Sequence, residues 1–147
     1  MRTRKVNRYY CDFCKKANCS KSAMEIHESH CTKNPERVCR FCLFMENGQA
    51  KMSDMLAIIG DSSQFHDEKT SECGFVSRTW NSDKLNSVLK LLRDATDSCP
   101  FCILSAFRQA GIPVPEVTDF NYAKERQSAL DDMDASRREQ DYRGVNY

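Results

Sequence analysis

The chain has 147 residues, nine of them Cys, and a formal charge of +1 at neutral pH. Leu, Ile, Val and Phe supply only 28 residues, near the level at which a packed core becomes hard to build, although the near-zero charge argues against wholesale disorder. The length suits one domain, or one domain with an arm, and excludes a large substrate-enclosing enzyme domain; the longest apolar run, Met55–Ile59, is far short of the roughly 20 residues of a membrane-spanning helix.

The first residues, MRTRKVNRYYCDF, are basic and lack the apolar centre of a secretory signal. The expectation is a cytoplasmic protein with reduced thiols, in which clustered Cys read as metal ligands or redox motifs before they read as disulfides. Residues 1–42 carry ten Lys or Arg against four Asp or Glu, and residues 43–147 carry twelve against seventeen. A basic front on an acidic body fits an anionic partner, or attraction between the two parts of the chain.

In chain order, residues 20–31 read as a short helix with Ser20 or Ser22 as N-cap. Asn47-Gly48 reads as a hairpin turn. Ser53 to Ile59 reads as a helix capped by Ser53 and ended by Gly60. Residues 61–79 read as polar and irregular, with a strand at Gly74–Thr79. Residues 83–97 carry Leu85, Val88, Leu89 and Leu92 on one face, a clear amphipathic helix with Ser82 as N-cap. A further helix starts at Pro100 and stops at Gly111. Ile112-Pro-Val-Pro115 reads as a stiff extended connector, and residues 119–142 as a polar helix with a weak stripe at Leu130 and Met133.

A short motif recurs three times: Cys11-Asp-Phe-Cys14, Cys39-Arg-Phe-Cys42 and Cys99-Pro-Phe-Cys102. Its Phe is expected to pack behind each turn. Zinc takes four Cys or His ligands at about 2.0–2.3 Å in a tetrahedron. Cys11, Cys14, His27 and Cys31 follow the pattern C-x2-C-x12-H-x3-C. A two-residue gap aims two thiolates at one ion, and His27 and Cys31, four apart on a helix, share a face. His30 would leave only two residues after His27, so Cys31 is the better ligand, and Cys19 lies off the pattern.

No His or Cys follows Cys42 at finger spacing, so its partners must be distant. The preferred set is Cys39, Cys42, Cys99 and Cys102; the alternative replaces the last two with His66 and Cys73. The long loop costs little extra, because closure entropy grows logarithmically. Two Zn2+ ions are therefore expected, the second a staple that compensates for the thin core.

The first set resembles a C2H2-type zinc finger in its Cys-Cys-His-Cys variant, with Tyr9 and Met24 at the family's aromatic and apolar positions. Asn18 stands where the family carries Phe, which thins the finger's core and implies that it packs against the rest of the chain. The resemblance puts base-reading positions at Ser20, Ser22, Ala23 and Ile26. None has the long bidentate side chain that base reading uses, which disfavours sequence-specific DNA recognition. Arg2, Arg4, Lys5, Arg8, Lys15, Lys16 and Lys21 remain candidate phosphate contacts, which specify no sequence, and a solvated face explains them equally well.

Over roughly residues 9–110, the finger, the CTKNPERVCRFC segment and the CPFCILSAFRQ helix resemble small zinc-finger proteins encoded by bacteriophages and prophages. That resemblance implies zinc binding and a phage or bacterial setting, with the protein in the host cytoplasm or in a virion. Two other chemistries fit less well. A redox role for Cys99 and Cys102 needs a strand leading into the motif, where the sequence has a helix. No catalytic residues are expected, since both sites are closed and HExxH, P-loop and GxGxxG motifs are absent.

The expected fold is small α+β, mainly helical and zinc-stapled: a basic arm and C2HC finger (1–36) packed on a helical body with a four-cysteine zinc site (37–111), then a connector and polar helix (112–147). The expected function is a non-catalytic zinc-binding adaptor for a protein or nucleic-acid partner, with neither a membrane nor a small-molecule substrate. A structural component of a phage particle or other assembly, and a thiol–disulfide redox protein, are the alternatives.

Overall fold

In the computed structural model, which describes residues 1, 3 and 5–144, Tyr9–Tyr10 (β1) pairs antiparallel with Ala17–Asn18 (β2) and closes the loop that carries Cys11 and Cys14. Asn18 turns the chain into a helix: its Oδ1 accepts from the Ser20 N–H, and Ser20 Oγ accepts from Ala23 N–H. Helix α1 (Lys21–His30) thus begins at the expected cap and buries Met24. Asn18, where a finger would carry Phe, builds a turn instead of a core.

Helix α2 (Arg40–Phe44) is a single turn starting after Cys39. Asn47-Gly48 does not make a hairpin. The chain before it is helical, so a two-residue turn has no strand to join. Gln49 folds back instead: its Oε1 accepts from the Cys39 N–H and its Nε2 donates to the Cys39 carbonyl, each at 2.9 Å.

Helix α3 (Met52–Ile59) starts after Lys51 without a side-chain cap; Ser53 lies inside it. Gly60 ends it at φ +69°, a conformation that side chains disfavour. The 61–79 region is more ordered than its polarity suggests. A 3-10 turn (Ser62–Phe65) leads into a hairpin of β3 (His66–Thr70) and β4 (Val76–Trp80), with His66 opposite Trp80 and Glu68 opposite Arg78. Strand β3 is HDEKT, with no apolar alternation to reveal it.

Helix α4 (Ser82–Ala95) is capped by Asn81, one residue before the expected Ser82, and buries Leu85, Leu89 and Leu92. Helix α5 (Pro100–Gln109) begins with Pro100 in its first turn, and Ile103, Leu104, Ala106 and Phe107 are all buried. The expected extended connector is partly a 3-10 turn at Val114–Glu116, and Ile112, Val117 and Phe120 sink into the core around it. Helix α6 (Tyr122–Gly144) is mostly exposed, but Ala129 is buried and Leu130 and Met133 are half-buried. Arg93 of α4 fixes its start with a bidentate pair to Glu125 at 3.0 and 2.9 Å and a bond to the Asp119 carbonyl.

Two apolar clusters result. The larger joins α3, α4, α5, Phe65, Val117 and Phe120, and contains Cys39, Cys42, Cys99 and Cys102. The smaller holds only Cys11, Met24 and Cys31, with Tyr9 and Cys14 packed against it. Arg108 and Gln109 at the end of α5 reach the segment after α1: Arg108 Nη1 donates to Thr32 Oγ1, and Gln109 Nε2 donates to the carbonyls of Thr32 and Asn34.

Leu92 is fully buried at the centre of the larger cluster. Leu92→Ala is expected to cost about 3 kcal/mol in urea unfolding of the metal-loaded protein. A loss below about 1 kcal/mol would show that α4 is not a core element.

Candidate metal centres

The loop closed by β1 and β2 presents Cys11 and Cys14, α1 presents His27, and Cys31, expected inside the helix, is the residue that caps its C-terminal end. The ligand atoms of these four residues all lie within 4.8 Å of one another. Cys14 Sγ is 3.2 Å from His27 Nε2, and the Lys16 N–H points at Cys14 Sγ from 3.4 Å. Glu28 braces the knuckle: its Oε1 accepts from the Asp12 N–H at 2.9 Å, so it is more than a solvated carboxylate. His30 stands outside the group and bonds the Val38 carbonyl through Nδ1 at 2.7 Å, tying α1 to the chain before Cys39.

The second group is built from two helix starts. Cys39 and Cys99 are the N-cap residues of α2 and α5, and Cys42 and Cys102 lie in the turns that follow. Both pairs of thiols thus sit at helix N-terminal ends, although neither Cys39 nor Cys99 accepts a side-chain capping bond. All four thiols are buried and lie within 4.8 Å of one another. Cys39 Sγ to Cys99 Sγ and Cys42 Sγ to Cys102 Sγ are each 3.7 Å. A tetrahedral ion about 2.3 Å from each sulfur sets that edge at roughly 3.8 Å. A disulfide would need about 2.05 Å.

The two knuckles meet through their middle residues: Phe41 and Phe101 pack with ring centroids 5.5 Å apart. Phe13, the third of the series, is exposed, because its knuckle has so little apolar surface to lie on. The alternative ligands are elsewhere. His66 stacks on Trp80 at 4.0 Å at the base of the second hairpin, while Cys73 is exposed at its tip beside Ser71. Cys19 is also exposed.

Proton energetics follow the same geometry. Hydrogen bonds from the Cys102, Cys42 and Cys99 thiols hold Cys39 well below the ordinary thiol range. Cys99 and Cys42 are pushed well above it, chiefly by their bonds with Cys102. Cys39 and Cys102 are lowered while Cys42 and Cys99 are raised, and a divalent cation at their centre would favour the ionised form of all four. At the first group the Lys16 N–H lowers Cys14, burial raises Cys31, and burial lowers His27. A lowered His27 is neutral near pH 7, the form that ligates a metal.

Basic side chains stand beside both clusters, Lys33 among those at the first. Arg37 Nη1 lies 3.9 Å from Cys102 Sγ, and Arg108 borders the cleft lined by Cys14, His27 and Cys31. Lys5, Arg8, Lys15, Lys16 and Lys21 are exposed, and Lys21 pairs with Glu25 at 3.7 Å. Arg2 and Arg4 lie outside the described residues. Of the DNA-reading positions, Ser20 caps α1, Ser22 bonds Ser20 at 3.1 Å, and Ile26 is exposed. The side chains that sequence reasoning missed are Glu28, Gln49 and Gln109, each bonding a distant backbone group.

No helix among the described residues is long and apolar enough to cross a membrane. No protein-family model, curated protein or solved structure matches the chain. The molecule is thus defined by its own geometry: a small mixed α/β protein with two four-residue Cys/His clusters, each able to hold a metal ion.

Metal ligation requires ionised thiols and a neutral imidazole, so affinity falls as pH falls and protons compete. Cys14 and His27 are half-buried, whereas the four thiols of the second cluster are buried. Stepwise acidification of metal-loaded protein, read with a colorimetric chelator, is expected to release metal in two phases. The phase at higher pH should disappear in Cys31→Ser. Loss of the lower-pH phase in that variant would contradict the assignment.

Proposed function

We propose that this chain is a non-catalytic, zinc-stapled adaptor that binds a protein or nucleic-acid partner without reading base sequence. The observation that carries the reading is the pair of closed clusters, in which eight Cys and His side chains form two four-ligand sets. Thiolate-rich tetrahedral sets suit zinc, and four protein ligands make a structural site with no position open for water or substrate. The first cluster has almost no apolar core of its own, so its fold rests on the ion, as in domains whose folding is coupled to zinc. The bonds from Arg108 and Gln109 to Thr32 and Asn34 support a finger packed on the helical body.

The residues that would face a partner are exposed. Lys5, Arg8, Lys15, Lys16 and Lys21 offer charge without the geometry of base recognition, which fits phosphate or an acidic protein surface. A phage or prophage source, in which the host cytoplasm is the working compartment, rests on the motif resemblance. Thiol redox chemistry is less suited to the site. Its attacking thiol would be Cys99, and a reactive Cys needs exposure and a lowered pKa, whereas Cys99 is buried and raised.

Native mass spectrometry of protein purified without chelator is expected to show two zinc ions per chain, and Cys99→Ser should retain one. A different metal, a single site in the unaltered chain, or two ions retained in Cys99→Ser would overturn the reading. Any nucleic-acid affinity should fall steeply with salt and be independent of sequence. A strong preference among oligonucleotides of equal length would contradict it.

A further inference from the structure

Between α1, the start of α2, α5 and α6 lies a cavity of about 290 Å3. Its walls are Phe41, Phe101, Leu104, Leu130 and Met133, with Leu104 buried and the others half-buried. The volume suits one or two large side chains. Arg37 and Arg40 line it, together with His30, and among the described residues no Asp or Glu does; Cys39 of the second cluster also borders it, and Arg37 turns its Nη1 towards Cys102 Sγ. Arg40 is exposed, which places its charge towards solvent. Arg37 is half-buried, and its Nε is buried without a hydrogen-bond partner.

This arrangement also accounts for the Leu130 and Met133 stripe on α6. Those side chains do not close a core; they complete one wall of an open pocket. Apolar anchors seated in a pocket and ringed by contacts that exclude water are how interfaces concentrate their energy.

We infer that this cavity is the docking site for an acidic segment of a partner protein, which inserts one aromatic or large aliphatic side chain against Phe41, Phe101 and Leu104 while flanking carboxylates pair with Arg37 and Arg40. The inference rests on the adaptor reading, and names the chemistry of its partner. The complementarity of charge selects the occupant: carboxylates would meet the exposed Arg40 and the half-buried Arg37, and a basic segment would be repelled. The guanidinium geometry favours carboxylate oxygens, which accept two N–H bonds at once.

The test uses the full chain, 15N-labelled and zinc-loaded, titrated with an acetylated, amidated pentapeptide of sequence EDFDE. Saturable shifts are expected at the amides of Arg40, Phe41, Leu130 and Met133. The peptides KKFKK and EDADE should bind at least tenfold more weakly. Arg40→Glu, an exposed change that leaves the core intact, should weaken EDFDE at least tenfold, and Met133→Trp should block it by filling the cavity. Equal affinity for the three peptides, absence of shifts at these amides, or binding unchanged by both substitutions would overturn the proposal. A single-stranded oligonucleotide that shifts the same amides more strongly than EDFDE would overturn it as well. Zinc is counted on the same sample. Two ions with no peptide shift overturn the docking site alone, while peptide binding with fewer than two ions strikes the zinc reading alone.

Discussion

Everything else in this structure depends on four sulfur atoms meeting at two helix starts. Cys39 and Cys99 stand 60 residues apart in the chain, yet their Sγ atoms are 3.7 Å apart. The contact joins the end of the finger segment to the junction of the two best helices. Closing so long a loop is cheap compared with a short one, because each doubling of length adds only about 0.6 kcal/mol. Gathering four ionisable thiols in a buried place is the costly part. The hydrogen bonds between them raise Cys42 and Cys99, while Cys39 and Cys102 are lowered. A divalent cation would offset the charge of all four sulfurs and hold them at once. It would act within the main core, because all four thiols belong to the larger apolar cluster.

The smaller cluster repeats the logic with less help. Cys11, Met24 and Cys31 are all it buries, so the ligand geometry has to replace apolar packing. Glu28 reaching back to the Asp12 N–H, and Asn18 bonding the Ser20 N–H, show the local means by which the loop and helix are held in register. Gln109 and Arg108 then hold the segment after α1 against the end of α5. Polar side chains clamping backbone thus do work that a larger core would do elsewhere.

The ligands were legible because metal geometry writes itself into spacing: C-x2-C aims two thiolates at one point, and His27 and Cys31 stand four apart at the end of one helix. Helix α4 was legible because Leu85, Leu89 and Leu92 keep a helical period. What stayed hidden had no periodic signal. Strand β3, HDEKT, lies on the surface and buries nothing in alternation, so its pairing depends on β4 and not on its own composition. The Asn47-Gly48 dipeptide carries a hairpin signal that its helical neighbour cancels. Gln49, Gln109 and Glu28 act through partners 10 to 77 residues away, at distances no local pattern encodes. Phe13 shares a motif with Phe41 and Phe101 but not a surface to pack on, which shows how far a repeated motif can be carried.

Zinc K-edge X-ray absorption on the purified full chain tests the central claim most directly, because it reads the metal's own neighbours. The two clusters together offer seven sulfurs and one imidazole nitrogen. The account predicts an average shell per zinc of three and a half sulfurs at about 2.3 Å and half a nitrogen at about 2.0 Å, with no water oxygen. A shell rich in oxygen, or one averaging fewer than three sulfurs per zinc, would contradict it.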